Sequence, residues 1–307
     1  MSDTFVTAAP HWTWFIIPYF FVGGLAGGAY FLAALLEWFG RPEDRPVIRT
    51  GYYVAMAGAI VSGALLTVDL GRPLRFWHML LQSERLPNLM FKPWSPISFG
   101  SWGLLLFGGC AALSTLGALA EQGTLQARAL KALHGGVPAR LIAAAGGLLG
   151  FFVAGYTGVL LSVTNRPIWA DSPWLGALFV VSGASTGAAT LILLAPRAAP
   201  RRSLAWLSTF DRNALIIELL LIVVFLVSLG SVARVWVSGW GLLLLVGVIG
   251  AGIVLPLRPH FQSTGSGAMS ELAMVNSALW VLLGGFLLRL TILMASEGIQ
   301  LHRVAGT

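Results

Sequence analysis

The side chains best suited to chemistry gather beside two long apolar segments. Tyr156 carries a hydroxyl within the fourth apolar segment, and His11 and Trp14 stand at the same level beside the first. An apolar, aromatic-lined pocket with one or two hydrogen-bond donors suits a quinone headgroup, whose carbonyl oxygens accept hydrogen bonds and, on reduction, protons. A core tyrosine bonded to a backbone group is the competing interpretation of Tyr156, and the residues alone favour it.

Ionisable residues inside or beside the apolar segments form a second set. A charge at such depth is costly, so these residues are candidates for a proton path. Glu218 lies inside the sixth segment and Arg289 inside the eighth, whereas Glu37 and Glu271 lie near segment ends. Capping or snorkelling explains the two residues near segment ends as well as function does. The predicted proton path consists of Glu37, Glu218, Glu271 and Arg289.

The connection after the second apolar segment has a pattern of its own. Asp69 and Arg72 stand close together at the membrane border, and neither an interfacial tryptophan nor a helix-starting proline explains that pairing. We therefore include both residues among the candidate quinone ligands. Further basic residues on the same side are predicted to dock a protein partner: Arg75, Arg85, Lys92 and Arg166.

The histidines and the single cysteine limit the cofactors that the chain itself can hold. A b-type haem with two axial histidines needs them on facing helices within the membrane. None of the five histidines lies in the middle of an apolar segment, and Cys110 alone cannot build a disulfide framework, a four-cysteine zinc site or an iron–sulfur cluster. We therefore expect neither haem nor metal in this chain. The histidines are His11, His78, His134, His260 and His302.

The overall composition is that of an integral membrane protein. The 307 residues are 57% hydrophobic and only 10% charged, whereas an ordinary globular chain is about 25% charged. The mean hydropathy is +0.81, and a soluble surface cannot be built from so few charges. The net charge of +7 comes from basic residues in short loops between apolar runs, which indicates membrane topology and not nucleic-acid binding.

Eight apolar stretches are long enough to cross a bilayer, whose hydrocarbon core of about 30 Å needs roughly 20 residues of helix. They are continuous and do not alternate with polar residues, which predicts helices and not barrel strands. The sequence therefore predicts an all-α integral membrane fold with eight transmembrane helices. The stretches cover residues 14–37, 51–69, 97–120, 139–164, 174–195, 213–236, 240–257 and 272–294.

The distribution of lysine and arginine predicts the orientation. Eleven of these residues lie in the connections that follow odd-numbered spans and seven lie on the opposite side, with Arg289 inside the last span. This bias places both termini outside, which is the periplasmic side of a bacterial inner membrane. The 71–96 connection is the exception, because it carries four basic residues on the outer side. A protein partner that holds this connection explains the exception.

Several of these motifs, taken in order along the chain, resemble the NrfD/PsrC family of membrane subunits in polysulfide-reductase-like complexes. The resemblance covers the first five spans through motifs and the remaining spans through hydropathy and number. The motifs are His11-Trp-Thr-Trp14, Gly23-Gly-Leu-Ala-Gly-Gly28, Asp69-Leu-Gly-Arg72-Pro73, Ser95-Pro-Ile-Ser-Phe-Gly-Ser-Trp102 and Tyr156-Thr-Gly158, followed by Asn165-Arg-Pro-Ile-Trp169.

The resemblance implies two four-helix bundles, in residues 1–170 and 171–307, with a quinone site at the outer end of the first. The quinone is menaquinone or ubiquinone, and the chain carries no haem. The family's arrangement implies that a peripheral iron–sulfur subunit faces this site and that a molybdopterin-type or other catalytic subunit lies beyond it. The chain would then conduct the quinone reaction without holding the complex's other catalytic centre.

The resemblance also reverses the preference for a structural Tyr156, because the family's quinone-contacting tyrosine in the fourth span aligns with it. The positions of an asparagine and a histidine in the first span of the polysulfide reductase member align here with Trp14 and Ile17. This departure leaves His11 and Asp69 as substitute contacts.

A secondary transporter or proton channel without redox chemistry is the alternative function. It would use Glu37, Glu218, Glu271 and Arg289 along an internal path. Transporters of this kind typically have helices broken near the midplane. Here the prolines cluster at span ends, apart from Pro18 one turn into the first span, and this pattern disfavours the alternative.

Overall fold

Long helices joined by short connections make up most of the described chain. The structure, a computed structural model, describes Trp12, Leu133 and residues 14–125, 135–164, 166–195, 199–262 and 269–305, with the backbone alone for residue 262 and residues 297–305. The helices are α1 (Ile16–Phe39), α2 (Arg45–Asp69), α3 (Pro96–Glu121), α4 (Gly136–Ser162), α5 (Leu175–Leu194), α6 (Arg201–Ser228), α7 (Gly239–Leu242, the π-helical Leu243–Val254 and Leu255–Gln262) and α8 (Glu271–Ala305).

The predicted all-α integral membrane fold is confirmed. Seven helical spans in the described residues are long and apolar enough to cross a membrane, and α6 makes an eighth when it is counted together with the short 3₁₀ helix Gly230–Trp236. These two helices meet at a bend of 116°. The sixth span predicted over residues 213–236 therefore differs from the structure, in which α6 ends at Ser228 and the chain turns at Gly230 with a φ of +53°.

Helices α1 and α5 form the centre of the protein and pack against each other. Helix α1 also contacts α2, α4 and α8, and α5 also contacts α4, α6 and α8. Gly28 of α1 lies against the backbone of Gly183 in α5, and no Cβ fits between them. Close approach of this kind is what small residues provide in membrane helices. Because α1 contacts both α5 and α8, the division into residues 1–170 and 171–307 stays a prediction.

An ordered cap covers one end of α2 and α3, which we call the outer end because the charge distribution predicts that orientation. The cap contains the 3₁₀ helix Pro73–Met79 and an isolated antiparallel bridge between Leu81 and Leu89. The Trp102 indole donates to the Met90 carbonyl at 2.9 Å and ties the cap to α3. This end of the protein holds most of the residues predicted to bind the quinone.

Candidate functional site

Tyr156 lies between α3 and α4 and is held by the first turn of α3. Its hydroxyl donates a hydrogen bond to the Pro96 carbonyl oxygen at 2.6 Å, and its ring lies where any Cβ on Gly100 would be. Phe152, one turn earlier on α4, stacks on the ring with centroids 5.5 Å apart. The geometry contains the backbone bond expected of a structural tyrosine. A ligand would have to share this hydroxyl with the Pro96 carbonyl.

Two further hydroxyls accompany Tyr156, and we call Tyr19, Ser62 and Tyr156 the hydroxyl cluster. The buried Tyr19 phenol on α1 lies within electrostatic range of Tyr156. The ring of Tyr19 and the Ser62 Oγ both border the space beside Gly23. The Ser62 hydroxyl is fully buried and has no hydrogen-bond partner among the described residues. Such an unpaired buried hydroxyl is costly unless a water or a ligand completes it.

Tyr19 was not among the residues predicted from the sequence. Its signal is the spacing from Gly23, since residues four apart lie on one face of a helix, and the glycine face of α1 is the face that packs inward. The other residues predicted to bind the quinone lie nearer the surface. Trp14 is 69% exposed and Arg72 is exposed, whereas Asp69 is half-buried at the end of α2. His11 lies outside the described residues.

An apolar groove of about 560 Å³ runs between α2 and α3 beneath the 3₁₀ helix of the outer cap. It begins near Ser101, which adjoins the Gly100 position that receives the Tyr156 ring. Ile60 and Leu105 are exposed along its rim, where a membrane-spanning protein meets lipid. Its apolar lining includes Ile60, Leu66, Phe76, Met79, Leu104 and Leu105.

A second polar site lies between α5, α6 and α8, and Arg289 is its centre. Arg289 is 0% exposed. Its guanidinium donates to the Phe20 carbonyl at 3.2 Å, to the Ser182 hydroxyl at 3.0 Å and to the Gly285 carbonyl at 2.6 Å. The Ser182 hydroxyl in turn is hydrogen-bonded to Glu218, which is 4% exposed and within electrostatic range of Arg289. Ser182 therefore joins the buried acid to the buried base.

Asp211 extends this site toward the inner end and was not among the residues predicted from the sequence. The buried Asp211 carboxylate accepts a hydrogen bond from Ser185 at 2.6 Å and lies within electrostatic range of Glu218. Asp211 and Glu218 are two helical turns apart on one face of α6, a rise of about 10 Å. The same spacing in the sequence was the available signal, but the predicted span began after Asp211. We call Asp211, Ser185, Glu218, Ser182 and Arg289 the carboxylate ladder.

The other two residues of the predicted proton path lie elsewhere. Glu37 is paired with Arg45, which also contacts Glu121 at 3.1 Å, so this ion cluster ties α1, α2 and α3 together at the inner end. Glu271 pairs with Arg201 at 3.3 Å, and both side chains are exposed. Of the four predicted residues, the structure thus brings only Glu218 and Arg289 together.

The residues predicted to dock a partner divide in the same way. Arg75, Arg85 and Lys92 are exposed on the outer cap. Arg166 is instead 1% exposed, with its guanidinium carbon 5.0 Å from the centroid of the Trp169 ring. The segment turns inward because Trp169 is also buried and donates to the Ile292 carbonyl of α8 at 3.0 Å. A partner cannot reach Arg166 in this arrangement, which corrects its assignment as a docking residue.

The fold and these two buried sites define a multi-pass, all-helical membrane protein with a hydroxyl cluster in one half and an ion network in the other. The chain belongs to the NrfD family: the family model described as "Polysulphide reductase, NrfD" matches residues 4–299. It is 28% identical to the C chain of polysulfide reductase from Wolinella succinogenes, over 93% of this chain and 94% of that protein. It is 27% identical to protein NrfD of Escherichia coli, over 93% of this chain and 95% of that protein.

Proposed function

We propose that this chain is the membrane subunit of a redox complex and exchanges electrons between a membrane quinone and a peripheral iron–sulfur subunit. The observation that carries the proposal is the buried hydroxyl cluster beside a large apolar groove at the outer end. The name of the Wolinella succinogenes relative gives it a chain letter within polysulfide reductase, and therefore makes it one of several chains of a reductase. A catalytic subunit of molybdopterin type would lie beyond the iron–sulfur subunit.

The residues present fit a quinone headgroup. Such a headgroup accepts two electrons and two protons and needs hydrogen-bond donors at its carbonyl oxygens. Ser62 offers a buried hydroxyl without a partner among the described residues. The Tyr19 and Tyr156 phenols offer two more donors within electrostatic range of each other. The groove between α2 and α3 offers an apolar path for an isoprenoid tail that leads to the lipid.

We assign proton movement to the carboxylate ladder. Asp211 and Glu218 can each hold a proton, and Ser185 and Ser182 can relay one between neighbouring acceptors. Arg289 ends the ladder at the Phe20 carbonyl, next to Tyr19 in α1, so it connects the ladder with the helix that carries the hydroxyl cluster. Water would have to complete the remaining distance.

The alternative function, a transporter or proton channel without redox chemistry, is favoured by the same ladder, because buried acids also line ion pathways. The hydroxyl cluster and the groove have no role in that alternative. The two functions differ most simply in their partners, since only the redox function requires an iron–sulfur subunit.

Purification from native membranes tests the proposal together with its docking surface. We expect an iron–sulfur protein and a bound quinone to copurify with the wild-type chain. The double variant Arg75→Glu and Arg85→Glu should release that protein, with a larger loss at high salt, because exposed charge pairs are screened. Retention of the partner by this variant in high salt would show that the outer cap is not the main docking surface.

The matched control is Arg202→Glu with Arg258→Glu, which reverses two exposed charges at the opposite end of the protein. This control should keep the partner. If the wild-type chain purifies with neither an iron–sulfur protein nor a quinone, the redox proposal fails and the transporter alternative gains support.

A further inference from the structure

A polar cavity of about 490 Å³ opens at the inner end, away from both sites described above. It lies between the first half of α6, the end of α7 and the start of α8. Helix α6 packs closely on α5 but touches α7 only sparsely, so the second half of the protein has an open seam here. The polar residues that line the cavity are Arg201, Ser208, Arg212, His260, Ser270 and Glu271.

The cavity carries more positive than negative charge. Arg201 pairs with Glu271, but both side chains are largely exposed, so this pair is weak and open to exchange. Arg212 donates two hydrogen bonds to the neutral side chain of Asn213, at 3.1 and 3.2 Å. The described residues give Arg212 no carboxylate partner. Two guanidinium groups therefore face the cavity against one carboxylate.

Exposed apolar stripes lead from the cavity into the membrane-spanning part of two helices. On α6, Ile216 and Leu220 follow Arg212 at intervals of one helical turn and are exposed. On α8, Val275 and Leu279 follow Glu271 in the same way. A ligand that fills the cavity with an anionic group can therefore extend an apolar portion along either stripe.

We propose that this cavity binds an anionic phospholipid, with its phosphate between Arg201 and Arg212. Guanidinium groups bind phosphate oxygens through paired hydrogen bonds, and basic cavities between helices on the inner side of a membrane suit such headgroups. The Ser208, Thr209 and Ser270 hydroxyls line the same space and are available to the glycerol oxygens. A soluble anion would use the arginines but would leave the apolar stripes without a role.

Native mass spectrometry of the purified, delipidated protein tests this proposal. Diphosphatidylglycerol, phosphatidylglycerol and phosphatidylcholine are added in turn, and the bound fraction is measured. The wild-type protein should retain the anionic lipids over phosphatidylcholine by roughly tenfold or more. Arg201→Gln with Arg212→Gln should remove that preference, whereas Arg140→Gln with Arg258→Gln, an exposed inner pair outside the cavity lining, should keep it.

Two further arms keep the result decisive. Inorganic phosphate at millimolar concentration should leave lipid binding unchanged, and full displacement by phosphate would replace the lipid site with a simple anion site. Arg201→Lys with Arg212→Lys keeps the charge and should retain part of the preference if the glutamine variant fails to fold. Equal loss in the Arg140 and Arg258 control, or no loss in either double variant, would overturn the proposal.

Discussion

Tyr156→Phe is expected to slow quinone turnover by roughly tenfold to a hundredfold while the complex still assembles. The change removes one hydroxyl, and a hydrogen bond to a reacting group contributes about 1–3 kcal/mol. The phenylalanine ring fills the same space against Gly100 and Phe152, so packing is kept. The measurement is steady-state quinol or quinone turnover by the purified complex, with the iron–sulfur content determined in the same preparation.

The control for this variant is Tyr53→Phe, which removes a hydroxyl that donates to Gln122 at 3.1 Å on an exposed surface of the inner end. That variant should turn over as the wild type does. If Tyr156→Phe also keeps wild-type turnover and binds site-directed quinone analogues with unchanged affinity, the hydroxyl serves only its bond to the Pro96 carbonyl. The quinone assignment of Tyr156 would then be wrong.

Glu218→Gln is expected to abolish most of the proton movement that accompanies turnover, while quinone chemistry without coupling persists. Glutamine has nearly the shape of glutamate and can still accept a hydrogen bond from Ser182, but it cannot carry a proton. Asp211→Asn should behave in the same way, because Asp211 is the other acid of the ladder. The measurement is the ratio of protons to electrons in proteoliposomes.

Glu271→Gln is the matched control, since it removes an exposed carboxylate that lies outside the ladder. It should leave the ratio unchanged. An unchanged ratio in Glu218→Gln would contradict the proton assignment and leave Glu218 as a buried structural acid that balances Arg289.

The fold was largely predictable because apolar length alone identifies helices that cross a membrane. The limits of α6 were not predictable in this way. Asp211, Arg212 and Glu218 interrupt the apolar run of α6, so its inner half resembles a loop until the acids are seen to be buried among other helices. The turn at Gly230 depends on a positive φ, which a glycine permits but does not require.

The candidate site was predictable only where a motif marked it. Tyr156 stood in a motif, whereas Tyr19 stood in an apolar run where an aromatic residue is ordinary. Arg166 shows the opposite failure, because a basic residue in a connection is normally exposed. Ile168 adopts a φ of +72°, rare for a β-branched residue, and Trp169 is buried against α8. Such tertiary contacts bring Arg166 inside, and no local pattern encodes them.

The most direct test of the central proposal is electron exchange between quinone and the iron–sulfur partner in the purified complex. A short-tailed quinol is added to the oxidised complex, and the corresponding quinone to the reduced complex, while the redox state of the clusters is followed spectroscopically. We predict that one of these additions changes the cluster signal rapidly in the wild type and at least tenfold more slowly in Tyr156→Phe. Clusters that respond to neither quinol nor quinone would contradict the proposed function.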